Sequence, residues 1–246
     1  MRKKILLFLL FLLRTLNSFS QHSQSDFSYH TPDSLKALSK VSIWATHYYI
    51  HTFQSGGKIS LNDENGNPTG FFADTCNFCK AALEGTAYVK DSIGNITVFN
   101  FAKRSEKTSV NCRACLAYSK SKLDVENWGK ALWTKSSGFG DGVKNYKLIP
   151  YRTIAVDQKI IPYGTVLFIP IAKGKEIELS NGKKVIHDGY FFAGDTGSAI
   201  KNNHIDLFTG ISEATIFPEI IPSKSFDAYI VTDKTIIDTL TKIQTK

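Results

Sequence analysis

After its first twenty residues the chain has no apolar run approaching the roughly 18 residues that a membrane helix needs, so no later segment is expected to span a bilayer. It has no block of Lys and Arg interleaved with aromatics, the pattern that would argue for nucleic acid. No cysteine follows the leading apolar run where a lipid anchor would need one. Only four cysteines occur in 246 residues, and no βαβ pattern surrounds them, which argues against a thioredoxin-like redox site. No Glu lies between His47 and His51, so the helical zinc-protease arrangement is missing. On a strand the same two histidines would stand about 13 Å apart, too far to share one ion.

What is present suits a folded, exported protein. A hydrophobic fraction of 42% over 246 residues can bury a sizeable core in one or two domains. Residues 1–20 begin with Arg2, Lys3 and Lys4, continue through an apolar run and end in small or polar residues, the three-part layout of a secretory signal. Cleavage is expected near Ser20 and Gln21. The formal charge is +8, and the signal holds four of the 30 basic residues, so the mature chain stays basic and suited to anionic partners such as cell-wall polymers or membrane surfaces.

Along the chain, residues 21–36 are polar and read as a linker. Residues 41–53 (VSIWATHYYIHTF) are rich in β-branched and aromatic side chains and read as one long strand, with His47 and His51 as partly buried strand histidines. Residues 54–70 form a turn region, and LEGTAYV and NITVFNFA predict two strands across the turn 91–95. Cys76 and Cys79 form one C-x-x-C pair and Cys112 and Cys115 a second, bracketing those strands. Four thiolates from two tight turns suit structural zinc, whereas an exported protein favours disulfides; either is a staple. Residues 123–135 carry apolar positions at helical spacing and predict a helix. Residues 151–170 give a strand, a turn and a strand, Asn181–Gly182 marks a hairpin, residues 226–232 a last strand, and Ile236, Ile237, Leu240 and Ile243 one face of a terminal helix. Many short strands with few helices predict a mainly β chain built on a closed or nearly closed barrel.

The stretch 191–210 (FFAGDTGSAIKNNHIDLFTG) concentrates the chemistry. Asp195 ends an aromatic strand-like run and Asp206 sits inside an apolar one, IDLF, where desolvation by Ile205, Leu207 and Phe208 would raise a carboxyl toward neutrality. Asp195, beside Thr196 and Gly197, is better placed to stay ionised.

The combination IAVDQKIIPYGTVLFI and FFAGDTGSAIKNNHIDLF resembles the three-aspartate (3D) domain, with Asp157, Asp195 and Asp206 at its three named positions, and WATHYY resembles the family's first barrel strand. Ser198 and Asn202 stand where that family usually has glycine. LEGTAYVKDSIGNITVF is similar to the second barrel of MltA-type lytic transglycosylases, with T-A in place of the central G-S-G. The resemblance implies a six-stranded double-psi β-barrel over residues 37–234, with its core at 148–232, an insertion bearing the cysteines at 54–120, and a tail at 235–246. It implies an exported enzyme of the cell envelope, periplasmic or associated with the outer membrane, that cleaves peptidoglycan glycan strands at the MurNAc-β-1,4-GlcNAc bond and leaves 1,6-anhydro-muramyl ends. Asp206 would be the acid/base and Asp195 its neighbouring carboxylate. Asp157, Thr196, Gly197 and Lys201 would support them, with no cofactor for catalysis.

Overall fold

The computed structural model describes residues 27–213, 217, 220, 222 and 224–245; the expected signal at 1–20 and the start of the linker lie outside the described residues. Strand β1 (Ser39–Tyr48) turns Ile43 and Ala45 inward, both fully buried. The single long strand expected over 41–53 is two strands. β1 stops at Tyr48, and β2 (His51–Gln54) belongs to a different sheet. Two backbone bonds to the far end of the chain make the break, Thr209 N–H to the Tyr48 carbonyl at 3.0 Å and Ile50 N–H to the Gly210 carbonyl at 2.7 Å. Neither needs a local Gly or Pro, so local sequence gave no sign of it.

A second body follows. β3 (Ile59–Asn62) and β4 (Pro68–Ala73) form a hairpin. Helix α1 (Thr75–Glu84) starts where Asp74 accepts from the Asn77 N–H at 2.9 Å and ends on the left-handed Gly85. β5 (Thr86–Lys90) and β6 (Ile96–Arg104) pair across the expected turn, where Asp91 accepts from the N–H groups of Ile93 and Asn95.

The helix expected over 123–135 is only the turn α2 (Val125–Trp128), followed by strand β7 (Ala131–Ser136), which completes a sheet ordered β2-β5-β6-β7. Gly129 ends α2 in a place with no room for a side chain, since a Cβ there would lie 1.8 Å from the Val110 carbonyl oxygen. Beyond it, pairing with β6 and full burial of Trp133 outweigh the helical spacing.

The four cysteines are disulfides, Cys76–Cys115 and Cys79–Cys112, with Cα separations of 5.3 and 5.6 Å. Of the two staples the spacing allowed, the structure has this one, and it ties α1 to the loop before α2.

The chain then completes the barrel with β8 (Thr153–Ala155) and β9 (Val166–Phe168), makes the small hairpin β10 (Glu176–Glu178) and β11 (Lys184–Ile186), and adds β12 (Tyr190–Asp195), β13 (His204–Phe208) and β14 (Phe226–Ile230). Six strands close in the order β1-β13-β8-β12-β9-β14, with β1–β13 and β8–β12 parallel. The mainly β architecture with a closed six-stranded barrel is the one the sequence predicts. Ile43, Ala45, Ile154, Leu167, Phe191, Ala193, Ile205, Leu207 and Ala228 fill its interior. Helix α3 (Lys234–Gln244), capped by Asp233, lays Leu240 against the outward Phe192 and Tyr190.

Candidate active site

Because alternate residues of a strand face opposite ways, filling the barrel with Ile43, Ala45, Ile205 and Leu207 sends Trp44, Thr46, Tyr48, His204, Asp206 and Phe208 to its outer face. β1 and β13 run parallel in register, so these six meet as three pairs: Trp44 with His204, Thr46 with Asp206, Tyr48 with Phe208. The middle row continues across the sheet, with Asp206 opposite Ala155 on β8 and Ala155 opposite Asp195 on β12. The carboxylates are thus two strand spacings apart, about 10 Å at the backbone, with only a methyl group between them.

A register shift makes this row. Ala193 faces Ile154 and Asp195 faces Ala155, so Gly194 is an extra residue in β12. Without it Asp195 would share the inward face of Ala193; the bulge turns the carboxylate outward. The backbone of Gly142 closes over this point, and a Cβ on it would lie 2.2 Å from the Gly194 carbonyl oxygen and 3.2 Å from the Asp195 side chain.

Both carboxyls are half-buried and tied down. Tyr48 donates its hydroxyl to Asp195 Oδ2 at 2.7 Å, and Thr46 donates to Asp206 Oδ1 at 2.7 Å. Thr46 Oγ1 also lies 2.8 Å from His204 Nε2, and the His204 ring stacks on Trp44 with centroids 3.6 Å apart and planes 4° from parallel. Burial pushes Asp206 up to about 7; the Thr46 hydrogen bond opposes this and the Asp195 charge adds to it. Burial also raises Asp195, to about 6, against the hydrogen bonds from Tyr48 and the Thr196 backbone. Asp195 is therefore raised rather than left at an ordinary value as its polar neighbours suggest, yet the order of the two acids is the expected one. From the second body, Glu84 accepts from the Tyr49 N–H at 3.2 Å and is pushed by burial to about 7.

The third aspartate is elsewhere. Asp157 accepts from the N–H of Lys159 at 3.0 Å and of Asn202 at 2.9 Å, which hold its carboxyl below the ordinary value. It ties the loop before β13 to the turn after β8. Asn202 takes φ 55° there, a left-handed conformation that Asn tolerates in place of glycine. Thr196 is exposed and donates to the Val156 carbonyl at 3.3 Å, and Lys201 is exposed on the same loop. Gly197 accepts from the Ile200 N–H at 3.0 Å, and a Cβ on it would lie 2.9 Å from the Ile200 side chain. His47 and His51 stand on strands of different sheets, and His51 pairs with Asn77 at 2.8 Å.

Thr46, Tyr48, Gly142, Ala155 and His204 are the site residues that sequence reasoning missed. A signal existed for three of them: Thr46 and Tyr48 share one face of the WATHYY strand, and His204 stands two residues before Asp206 on the same face of β13. Among the described residues, no group of three or more His, Cys, Asp or Glu side chains could hold a metal ion.

Residues 152–216 match the model of the 3D domain. The membrane-bound lytic murein transglycosylase of Agrobacterium tumefaciens has a similar structure, with TM-score 0.51 and 15% identity over 80% of this chain and 76% of that one. MltA from E. coli with bound chitohexaose gives 0.49 and 17% over 77% and 71%, and MltA from Neisseria gonorrhoeae 0.48 and 14% over 80% and 72%. No curated protein sequence matches the chain.

Proposed function

We propose that this 3D-domain protein is a lytic transglycosylase-like enzyme that cleaves the MurNAc-β-1,4-GlcNAc bond of peptidoglycan with Asp206 as its single acid/base. The observation that carries the reading is Asp206 itself, a carboxyl on the outer face of the barrel, pushed to about 7 and so carrying its proton through much of the range near neutrality. An acid of that strength can give a proton and take one back at the same pH. Asp206 protonates the glycosidic oxygen as the bond from the anomeric carbon breaks. The muramyl 6-hydroxyl then attacks that carbon and returns its proton to Asp206. No water is consumed, and the product ends in a 1,6-anhydro ring.

Asp195, with Tyr48 donating to it, is ionised above about pH 6. Its charge adds to the upward push that burial gives the Asp206 carboxyl and faces the positive charge that develops on an oxocarbenium-like sugar. Support for the substrate class comes from the fold shared with the Agrobacterium murein transglycosylase. The signal-like N-terminus supports an exported protein of the cell envelope, and among the described residues no helix is long and apolar enough to cross a membrane.

Digesting purified peptidoglycan and weighing the products tests the reading. Anhydro-muramyl ends are expected. Reducing ends instead would make the protein a hydrolase with water as acceptor, and no release at all would make it a wall-binding barrel without the chemistry.

A further inference from the structure

Thr46 has one hydroxyl hydrogen and two neighbours competing for it, Asp206 Oδ1 at 2.7 Å and His204 Nε2 at 2.8 Å. The state of the ring decides how that hydrogen is shared. Burial holds the His204 imidazole below its ordinary value, and the backbone of Ala199 opposes this by favouring the charged ring. A backbone group that favours the charged ring is a carbonyl accepting a ring hydrogen. With Nε2 turned to Thr46, the hydrogen of the neutral ring sits on Nδ1, and Nε2 offers only a lone pair. Stacking on Trp44 fixes the plane in which that lone pair points.

We propose that His204 is a positioning residue that acts through Thr46: its Nε2 draws the Thr46 hydrogen away from Asp206 and so keeps Asp206 in the protonated form that an acid needs. While the ring holds the hydrogen, Thr46 turns a lone pair toward Oδ1, and the carboxyl meets it best by keeping its own proton. When Asp206 ionises, the hydrogen must swing back and Nε2 loses its partner. Ionisation therefore reverses the hydrogen bond between Thr46 and Asp206 and loses the one between Thr46 and His204, with no heavy atom moving.

This rests on Asp206 being the acid, but its test does not need turnover. Other groups facing Asp206 are Tyr48 on β1, Asp195 on β12 and Glu84 on α1, and none of them is substituted in the variants below. The experiment follows the Asp206 carboxyl by ¹³C NMR through a pH titration of the mature protein, with D206N identifying the signal, in wild type, H204F, T46V and the double variant. H204F keeps a ring on Trp44 but removes the claim on the Thr46 hydrogen, so the Asp206 midpoint should fall by about half a pH unit or more. T46V removes the donor to the ionised form, so the midpoint should rise. The double variant should match T46V, because His204 acts only through Thr46. An unmoved or raised midpoint in H204F, or a double variant lying between the two singles, overturns the proposal. The alkaline limit of peptidoglycan cleavage should move in the same directions. A wild type that releases nothing would remove the proposed activity and leave the carboxyl titration to decide the role of His204.

Discussion

Asp206 differs from Asp157 in what its ionised form receives. Asp157 accepts two backbone N–H groups and is held low, whereas Asp206 accepts one shared hydroxyl hydrogen in a desolvated position and is pushed to about 7. Asp206→Asn keeps size and reach but cannot donate and recover a proton, and loss of general acid/base help typically costs about 10² to 10⁴ in rate. The expected order of damage to glycan release is Asp206→Asn first, Asp195→Asn second, and Asp157→Asn acting through thermal stability. A live Asp206→Asn beside a dead Asp195→Asn would exchange their roles. The positions of both carboxyls could be read from the sequence because each ends or interrupts an apolar run. Their partners could not, since Thr46 and Tyr48 approach from a strand about 150 residues away and only barrel closure brings them in.

At the scale of elements, the barrel was legible and the second body only partly. Strands β5 and β6 announced themselves through their turn, but β2 was fused to β1 and β7 was hidden in a helical spacing, because pairing with distant strands set both boundaries. The bulge at Gly194 had no such signal beyond a glycine before Asp195, and it yields a test. Gly142 has φ −90°, open to any residue, so the obstacle to Gly142→Ala is space: the methyl would push on the Gly194 carbonyl and on Asp195. Cleavage should fall at least about tenfold with circular dichroism unchanged, as expected when a reacting group moves by an ångström or so. Full activity would mean that the bulge does not hold Asp195. The disulfides are nested, one closing 39 residues and the other 33 within them. In the chain-entropy model a loop of that size is worth about 4 kcal/mol, but either bond alone closes nearly the same loop. Replacing Cys76 and Cys115 by Ser should therefore change melting little. Replacing Cys79 and Cys112 should cost more, because both are buried in the second core, and replacing all four should cost most. A thiol assay on unreduced, denatured protein should find no free thiol; four would return zinc to consideration.

For the whole molecule, the carboxyl pair sets chemistry against stability. Tyr48, Ile50, Leu148, Ala155, Ile200 and Phe208 form one buried cluster, packed against Tyr88 of β5 in the second body and Phe139 of the segment after β7, and Tyr88 donates to the Gly138 carbonyl at 2.5 Å. The surroundings that desolvate Asp195 and Asp206 are thus part of what joins the two bodies. Folded values near 6 and 7 lie above the ordinary carboxyl value of 3.8, so between those limits the native state binds more protons than the unfolded chain. Stability must then fall as pH rises through that window. A tenfold change in proton affinity corresponds to about 1.4 kcal/mol, and half-buried groups are screened in part by water, so the penalty at Asp206 amounts to at most a few kcal/mol. Asp206→Asn removes the charge and with it the penalty. The variant should melt above the wild type at pH 8 and level with it near pH 4, while releasing no anhydro-muramyl product. Equal melting at pH 8 would mean that Asp206 ionises without cost, and an acid that ionises without cost would not hold its proton near neutrality.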